Sequence, residues 1–247
     1  MKKVLVTGAT GGMGAAICKL LIKEGYKVYG IDYRECQKID GLEFYDCDVT
    51  DTDAIVHTAG IYDLDSLVEM DEKRFKRIFD INVFGVYRVN KIFMPLLSKG
   101  SRIIITSSEL APLDPLPFTG IYGITKTTLE KYAFSLRMEL NLHGIPVSII
   151  RPGAVKTGLL NVSTDALDKF VNNTELYDGI ATRFKKIVDS VEAKNVPAEV
   201  IGETVLKALT DKMPKYVYNV NRNPLLRTLD ALPQRAQVFA IGMILKK

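Results

Sequence analysis

A tyrosine and a lysine stand four residues apart in the segment Y-G-I-T-K, as Tyr122 and Lys126. In a helix, this spacing places both side chains on the same face. A phenol has a reference pKa of about 10, and a neighbouring ammonium favours its ionised form, so the pair can exchange a proton with a substrate. Because such pairs are common on exposed helices, the pattern indicates chemistry only alongside other groups.

Hydroxyl side chains follow a strongly apolar segment upstream of this pair. The run Ile103-Ile104-Ile105 predicts a strand, and Thr106, Ser107 and Ser108 come directly after it. Open α/β sheets bind their ligands at the carboxyl ends of the strands. Both serines are therefore candidates for contacting a substrate oxygen.

A glycine-rich segment, T-G-A-T-G-G-M-G over residues 7–14, separates a short apolar strand from an apolar helical pattern. Glycines at this place let a pyrophosphate approach the N-terminus of the helix. Asp32 ends the next predicted strand, where a carboxylate binds ribose hydroxyls and repels a 2′-phosphate. The pattern favours NAD over NADP, although Arg34 is near enough in sequence to pair with that phosphate.

The elements that position these groups alternate between strand and helix. Alternation of this kind predicts an α/β fold, a Rossmann-like doubly wound parallel sheet flanked by helices, in a single domain over 1–247 with a C-terminal helical extension. We predict strands over 4–6, 27–31, 42–47, 54–58, 102–106, 146–150 and 215–220, and helices over 71–97, 122–143 and 198–209.

The motif T-G-x-x-x-G-x-G resembles that of the short-chain dehydrogenase/reductase family. Two further segments extend the resemblance over residues 2 to about 160: D-I-N-V-F-G, which is similar to the family's N-x-x-G and contributes Asn82, and P-G-A-V-K-T over 152–157. Residues 79–157 most resemble the hydroxysteroid and retinol dehydrogenase branch.

The resemblance implies hydride transfer between a nicotinamide and a carbon that bears a hydroxyl or carbonyl group. It assigns Tyr122 as the general acid and base, Ser108 to the substrate oxygen, Lys126 to the nicotinamide ribose and Asn82 to a water in a proton relay. The cofactor-binding residues it implies are Gly8, Thr10, Gly12, Met13, Gly14, Asp32, Asp48, Val49, Ala59, Gly60, Tyr122, Lys126, Pro152, Gly153, Val155 and Thr157.

The chain departs from the family pattern at two places. His57 and Thr58 replace the asparagines of N-N-A-G, and we expect a structural role for His57. Only residues 50–52 separate Asp48-Val49 from the fourth strand, where the family has a helix. Either the third strand ends early and the chain crosses the sheet directly, or the sequence omits a segment; the sequence leaves both open.

The segment over 158–195, which we expect to form the substrate loop, is apolar at the positions that should point inward, and the segment 112–118 before the catalytic pair adds an apolar wall. An apolar pocket suits a bulky alcohol or ketone such as a steroid or another lipid-like molecule. Two alternatives remain open: an NADP-dependent reductase of small carbonyls, and a non-catalytic nucleotide-binding sensor or scaffold.

Composition excludes several other classes of protein. The formal net charge is +4, too weak to indicate a nucleic-acid partner, and Cys18, Cys36 and Cys47 have no metal-ligand spacing, so no metal site is predicted. Unpaired cysteines and a start without a signal-peptide pattern indicate a cytoplasmic protein. We expect a homodimer or homotetramer built through helices 71–97 and 122–143, as the family resemblance implies.

The C-terminal extension over 221–247 carries leucines at helical spacing together with basic residues. Such a segment can pack on the body of the protein, cap the pocket or contact a membrane surface peripherally.

Overall fold

The computed structural model describes residues 1–33, 39–44, 52–114 and 116–246. Its centre is a parallel sheet of seven strands in the order β3-β2-β1-β4-β5-β6-β9. The strands are β1 (Lys3–Thr7), β2 (Lys27–Ile31), β3 (Leu42–Phe44), β4 (Ala54–His57), β5 (Arg102–Thr106), β6 (Val147–Pro152) and β9 (Val217–Val220), with β7 (Val155–Lys156) and β8 (Val196–Pro197) as a separate pair. The doubly wound parallel sheet that the alternating pattern predicts is confirmed.

Helices cover both faces of the sheet because successive strand residues point to opposite sides. Ile104 packs in one core with helices α1 and α7, whereas Ile103 and Ile105 pack in another with α3 and α4. The helices are α1 (Gly12–Lys23), α2 (Glu72–Phe79), α3 (Gly85–Phe93), α4 (Gly120–Asn141), α5 (Gly158–Asn173), α6 (Ile180–Glu192), α7 (Glu199–Thr210), α8 (Pro224–Asp230) and α9 (Gln234–Lys246).

The long helix predicted over 71–97 is helical nearly throughout but is not a uniform α-helix. Asp71 caps it by accepting hydrogen bonds from the backbone N–H groups of Lys73 and Arg74. Between α2 and α3 the residues Asp80–Phe84 form a π-helical turn that contains Asn82. Insertions of this kind occur often at functional sites because they turn a side chain out of the regular helical register.

The connection from β3 to β4 runs from one side of β1 to the other. The described part of β3 ends at Phe44, and β4 begins at Ala54, which leaves nine residues between them. Nine extended residues span roughly 30 Å, whereas three strand spacings amount to about 14 Å. Residues 45–51 lie outside the described residues, but the chain is long enough to cross without the family's helix.

The expected substrate loop over 158–195 contains two helices, α5 and α6, with a break between them. Gly179 has a positive φ of 69° immediately before α6, a conformation that favours glycine. The short pair of strands β7 and β8 was not predicted, because two residues carry no period that a pattern can reveal. No described helix has the length and apolar character needed to span a membrane.

Candidate active site

Tyr122 and Lys126 lie in the first two turns of α4 and are both buried. The Lys126 Nζ donates a hydrogen bond to the carbonyl oxygen of Thr106 at 3.1 Å, which ties α4 to the carboxyl end of β5. The same nitrogen lies 5.7 Å from the centre of the Tyr122 ring. On the other side, the Tyr62 ring packs on the Tyr122 ring with 4.8 Å between centroids. The predicted pair is therefore brought together inside the protein.

Burial shifts both pKa values of this pair. It raises the pKa of Tyr122 to about 12, although the hydrogen-bonded Ser108 hydroxyl acts in the opposite direction. It lowers the pKa of Lys126 to about 8, although the charge of Glu130 acts in the opposite direction. The sequence led us to expect a lowered Tyr122 pKa, whereas burial raises it in this structure because desolvation disfavours the charged phenolate.

Ser108 is the serine that contacts the tyrosine. Its hydroxyl interacts with Tyr122 and also accepts a hydrogen bond from the backbone N–H of Leu110 at 3.2 Å. The Ser107 hydroxyl is buried without a hydrogen-bond partner among the described residues. Both serines line the same cavity, but the geometry around Tyr122 favours Ser108 for the substrate oxygen.

Asn82 is buried next to the catalytic pair, but its side chain is occupied. Its Oδ1 accepts a hydrogen bond from the backbone N–H of Ile61, and its Nδ2 donates to the Ile61 carbonyl oxygen, both at 2.9 Å. Nδ2 also donates to Thr125 Oγ1 at 3.2 Å. The side-chain amide therefore fixes the loop after β4 to α4. In this structure Asn82 is a positioning residue whose amide is committed to the protein.

Glu130 and Arg151 form a buried ion pair beneath the catalytic pair, which the sequence analysis did not single out. Arg151 Nε donates to Glu130 Oε1 at 2.7 Å, and a second guanidinium nitrogen donates to Oε2. Both side chains are largely buried. Glu130 follows Lys126 by four residues, so the helical spacing that links Tyr122 to Lys126 extends one turn further.

A cavity of about 210 Å³ opens beside Tyr122. Its polar lining includes Ser107, Ser108, Tyr122 and Lys126. Its apolar wall includes Phe184, Ile187, Val188 and Val191 of α6, Leu116 of the loop before α4 and Leu226 of α8. The predicted substrate loop and the C-terminal extension thus both contribute to the wall.

Phe118 was expected to line this pocket and does not. Its ring is buried among Phe170, Tyr177 and Phe184, with centroids 4.5–5.1 Å apart. This aromatic cluster lies behind α6 and supports the Phe184 side chain that reaches the cavity. Phe118 shapes the cavity indirectly.

Glu109 is a buried carboxylate in the cavity wall that the sequence analysis also left out. Its Oε2 accepts a hydrogen bond from the backbone N–H of Asn223 at 2.7 Å, and burial raises its pKa. Arg222 lowers that pKa by its charge. Glu109 therefore attaches the loop after β5 to the start of the C-terminal extension. In the sequence, its position directly after Ser108 was the feature that could have identified Glu109 as a residue of the site.

The glycine-rich turn packs too tightly for side chains at three positions. A Cβ on Gly8 would lie 2.6 Å from the Ala59 backbone nitrogen, one on Gly12 would lie 2.6 Å from Thr157 Cβ, and one on Gly14 would meet the Gly8 carbonyl. No side chain caps the N-terminus of α1. The N–H groups of a first helical turn have no partners within the helix, so this terminus fits an anionic pyrophosphate.

Asp32 lies at the end of β2 and holds this turn. Its Oδ2 accepts hydrogen bonds from the Thr10 backbone N–H at 3.0 Å and from Thr10 Oγ1 at 2.6 Å. A phosphate placed beside this carboxylate would be repelled.

The remaining residues of the implied cofactor site divide into three groups. Met13, Gly60, Pro152, Gly153, Val155 and Thr157 line the cavity together with Tyr122 and Lys126. Gly8, Gly12, Gly14 and Ala59 belong to the tightly packed turn beside it. Asp48 and Val49 lie outside the described residues, as do Cys36, Cys47 and Arg34.

His57 is buried away from the cavity. Its Nε2 lies 2.8 Å from Asn90 Oδ1, and the Asn90 amide donates to the Tyr132 hydroxyl at 3.1 Å. Burial lowers the pKa of His57 to about 4, so the ring is neutral near pH 7. These contacts agree with the structural role that we expected. Among the described residues, no cluster of histidine, cysteine and carboxylate side chains could hold a metal ion.

Comparison with known proteins identifies relatives across the whole chain. The short chain dehydrogenase family model matches residues 2–51 and 40–168, a match divided near the short β3–β4 connection. The chain is 24% identical to a 3-ketodihydrosphingosine reductase of Bacteroides thetaiotaomicron, over 96% of each protein. It is 30% identical to estradiol 17-beta-dehydrogenase 2 of Mus musculus, over 68% of this chain and 51% of that protein.

A further relative is the NADPH-dependent 3-dehydrocapnine reductase of Ornithobacterium rhinotracheale, 24% identical over 89% of this chain and 88% of that protein. Among solved structures, a short chain dehydrogenase family protein from Francisella tularensis superposes with a TM-score of 0.73 at 24% identity, covering 89% of this chain and 97% of that one. The sheet order, the glycine-rich turn and the family match lead to one conclusion: the chain belongs to the short chain dehydrogenase family, whose members are oxidoreductases that use NAD or NADP.

Proposed function

We propose that the protein is an NAD-dependent alcohol dehydrogenase and ketone reductase that acts on a bulky, apolar substrate. One observation carries the proposal: Tyr122, Lys126 and Ser108 line one cavity together with apolar side chains of α6 and α8. Such a cavity orients a molecule with one oxygen and a large apolar body. When bound, the nicotinamide supplies or accepts the hydride.

The protonation states of the site favour proton donation at neutral pH. With a pKa of about 12, Tyr122 carries its proton at pH 7 and can donate it to a carbonyl oxygen that Ser108 also contacts. With a pKa of about 8, Lys126 is mostly charged there and can stabilise the phenolate that remains. At neutral pH both groups are therefore in the protonation states that ketone reduction requires. Alcohol oxidation should become faster as the pH rises.

Replacing the tyrosine tests the proposal. Turnover of Tyr122→Phe on a panel of steroid and long-chain secondary alcohols and ketones should fall by roughly 10²–10⁴-fold, because the acid and base is lost. Cofactor binding, followed by reduced-nicotinamide fluorescence, should remain. Tyr62→Phe is the matched control, since its ring packs directly on Tyr122 but is not expected to transfer the proton.

Equal turnover by Tyr122→Phe and the wild type would refute the proposed role. Cofactor binding without turnover on any alcohol or ketone would instead favour the nucleotide-sensing alternative.

We propose NAD as the cofactor on the basis of the Asp32 carboxylate, whereas the NADPH-dependent relative favours NADP. Asp32→Asn removes the charge but keeps an oxygen that can accept the Thr10 hydrogen bonds. Thr10→Val disturbs the same turn and leaves the charge in place. If the carboxylate selects NAD, kcat/KM with NADP rises in Asp32→Asn and not in Thr10→Val. No gain in Asp32→Asn would mean that another group selects the cofactor.

We also propose self-association through the outer surfaces of the helices that we predicted for it. Phe84, Tyr87 and Ile92 are exposed on the long helical run, and Phe134 and Met138 are exposed on α4. Covering such apolar side chains with a second copy is favourable. Ile92→Glu combined with Met138→Glu should reduce the molar mass measured by light scattering to that of a monomer, and an unchanged mass would refute this interface.

A further inference from the structure

Helix α9 is attached to the protein by one face only. On that face, Gln237 Nε2 donates to Asp114 Oδ2 at 2.9 Å, and the Leu245 carbonyl oxygen accepts from Arg183 at 3.0 Å. Leu245 and Ile241 pack in the cluster formed with α5 and α6. These contacts fix the rotation of the helix, so the direction of its opposite face is determined.

The outward face of α9 is apolar in its middle and basic at both ends. Positions 235, 238, 239, 242, 243 and 246 recur at helical spacing and share this face. The exposed fractions of Val238, Phe239 and Met243 are 74%, 70% and 46%. Arg235 lies at the start of the helix and Lys246 at its end, and both are exposed. An apolar stripe between basic side chains is typical of helices that lie in a membrane interface.

The charge around this face favours an anionic surface. Residues 221–247 contain five basic residues and one acidic residue, Asp230. That carboxylate already accepts a hydrogen bond from the backbone N–H of Asp114 at 3.1 Å. If two copies paired through α9 in an antiparallel arrangement, Arg235 of each would approach Lys246 of the other, and these like charges repel. The charge pattern therefore favours lipid over a second copy.

We propose that the outward face of α9 docks on an anionic lipid bilayer, with Val238, Phe239 and Met243 inserted among the acyl chains. The preceding helix α8 has one exposed leucine, Leu225, whereas its neighbour Leu226 lines the cavity beside Tyr122.

The experiment is sedimentation of the full chain with lipid vesicles. We expect binding to phosphatidylcholine vesicles that contain phosphatidylserine to exceed binding to phosphatidylcholine alone by about tenfold or more, since basic residues near an anionic surface strengthen binding. Added salt should weaken this binding. The measurement records lipid binding without turnover, so its result is separate from that of the proposed activity.

Two variants and one matched control decide the outcome. Phe239→Ser with Met243→Ser, and separately Arg235→Glu with Lys246→Glu, should each reduce binding to anionic vesicles by about tenfold or more. Leu176→Ser with Met213→Ser removes two exposed apolar side chains elsewhere and should leave binding unchanged.

No binding of the wild type to either vesicle would overturn the proposal. So would equal losses in the α9 variants and the control. If Phe239→Ser with Met243→Ser instead lowers the molar mass in light scattering and leaves vesicle binding intact, the face is an interface between copies of the chain.

Discussion

The two ends of the cavity are built on different principles. At the catalytic end, polar side chains are buried and several have specific partners, as in Lys126 with Thr106 and Glu130 with Arg151. The Thr106 and Ser107 hydroxyls have no hydrogen-bond partner among the described residues. At the far end, α6 and α8 present apolar side chains to the cavity. Buried polar groups are costly when a partner is lost, whereas apolar walls adjust to changes of shape.

This difference implies that the geometry of the catalytic end tolerates little change. The substrate specificity, by contrast, can change through substitutions in the apolar wall. A change at the catalytic end should affect folding and turnover together. A change at the apolar wall should alter the preference among substrates and leave the fold nearly intact. Three predictions test this contrast.

The largest effect is expected for Glu130→Gln. The substitution leaves Arg151 buried beside a neutral amide, and breaking a buried ion pair costs about 3–5 kcal/mol of unfolding free energy. Urea denaturation followed by circular dichroism measures this loss. The pKa of Lys126 should also fall further below about 8, because the Glu130 charge that raises it is removed.

Glu139→Gln is the control for this prediction, because Glu139 is an exposed carboxylate on the same helix. It should change the unfolding free energy by less than about 0.5 kcal/mol. Similar stabilities of the two variants would show that the buried pair does not distinguish the catalytic end.

An intermediate effect is expected from His57 as the pH falls. Its pKa is about 4 in the folded protein, whereas the ordinary value, which applies to the unfolded chain, is 6.5. The unfolded chain therefore binds the proton more readily. Stability from the neutral ring is therefore present above pH 6.5 and is lost as the pH falls through about 4, by up to about 3 kcal/mol. Melting temperatures measured across this range should fall less steeply for His57→Gln than for the wild type.

The chain has one other histidine, His143, which is exposed. His143→Gln should retain the pH dependence of the wild type. If His143→Gln flattens the curve and His57→Gln does not, the buried histidine is not its source.

The smallest effect is expected at the apolar wall. Ile187→Ala removes part of a partly exposed α6 side chain that lines the cavity. We expect about a tenfold loss in kcat/KM for bulky substrates and a change in unfolding free energy of no more than about 1 kcal/mol. Met213→Ala, at an exposed position outside both the cavity and the proposed interface, should change neither quantity. A loss of stability as large as that of Glu130→Gln would contradict the contrast.

Much of the catalytic end could be predicted because its signals are local. Motifs of only a few residues were enough to locate two parts of the site. These are the glycines between a strand and a helix, and the tyrosine and lysine at helical spacing. The elements around them, including the long helix, were likewise predicted from apolar periodicity. The π-helical turn at Asp80–Phe84 within that helix was not, because no periodic pattern reveals it. The interaction that distinguishes Ser108 from Ser107, by contrast, is with Tyr122 on α4, and no local pattern records it.

Two side chains have contacts that the sequence did not indicate. The positioning of a water by Asn82 stays a prediction, and the structure adds that the Asn82 amide binds Ile61, which is 21 residues away in sequence. Phe118 was assigned to the pocket, but three aromatic rings from later in the chain surround it. In both cases the contact is long-range, and no local pattern records such a contact.

By itself, the sequence determined the parallel α/β architecture, the membership in a dehydrogenase family and the residues that can exchange a proton. These follow from periodicity, turn chemistry and motif spacing, which act over short stretches of chain. Only the tertiary structure decided the protonation state of Tyr122, the partners of Glu130 and His57 and the apolar wall of the cavity. Desolvation and packing depend on which distant segments meet, and that is settled when the chain folds.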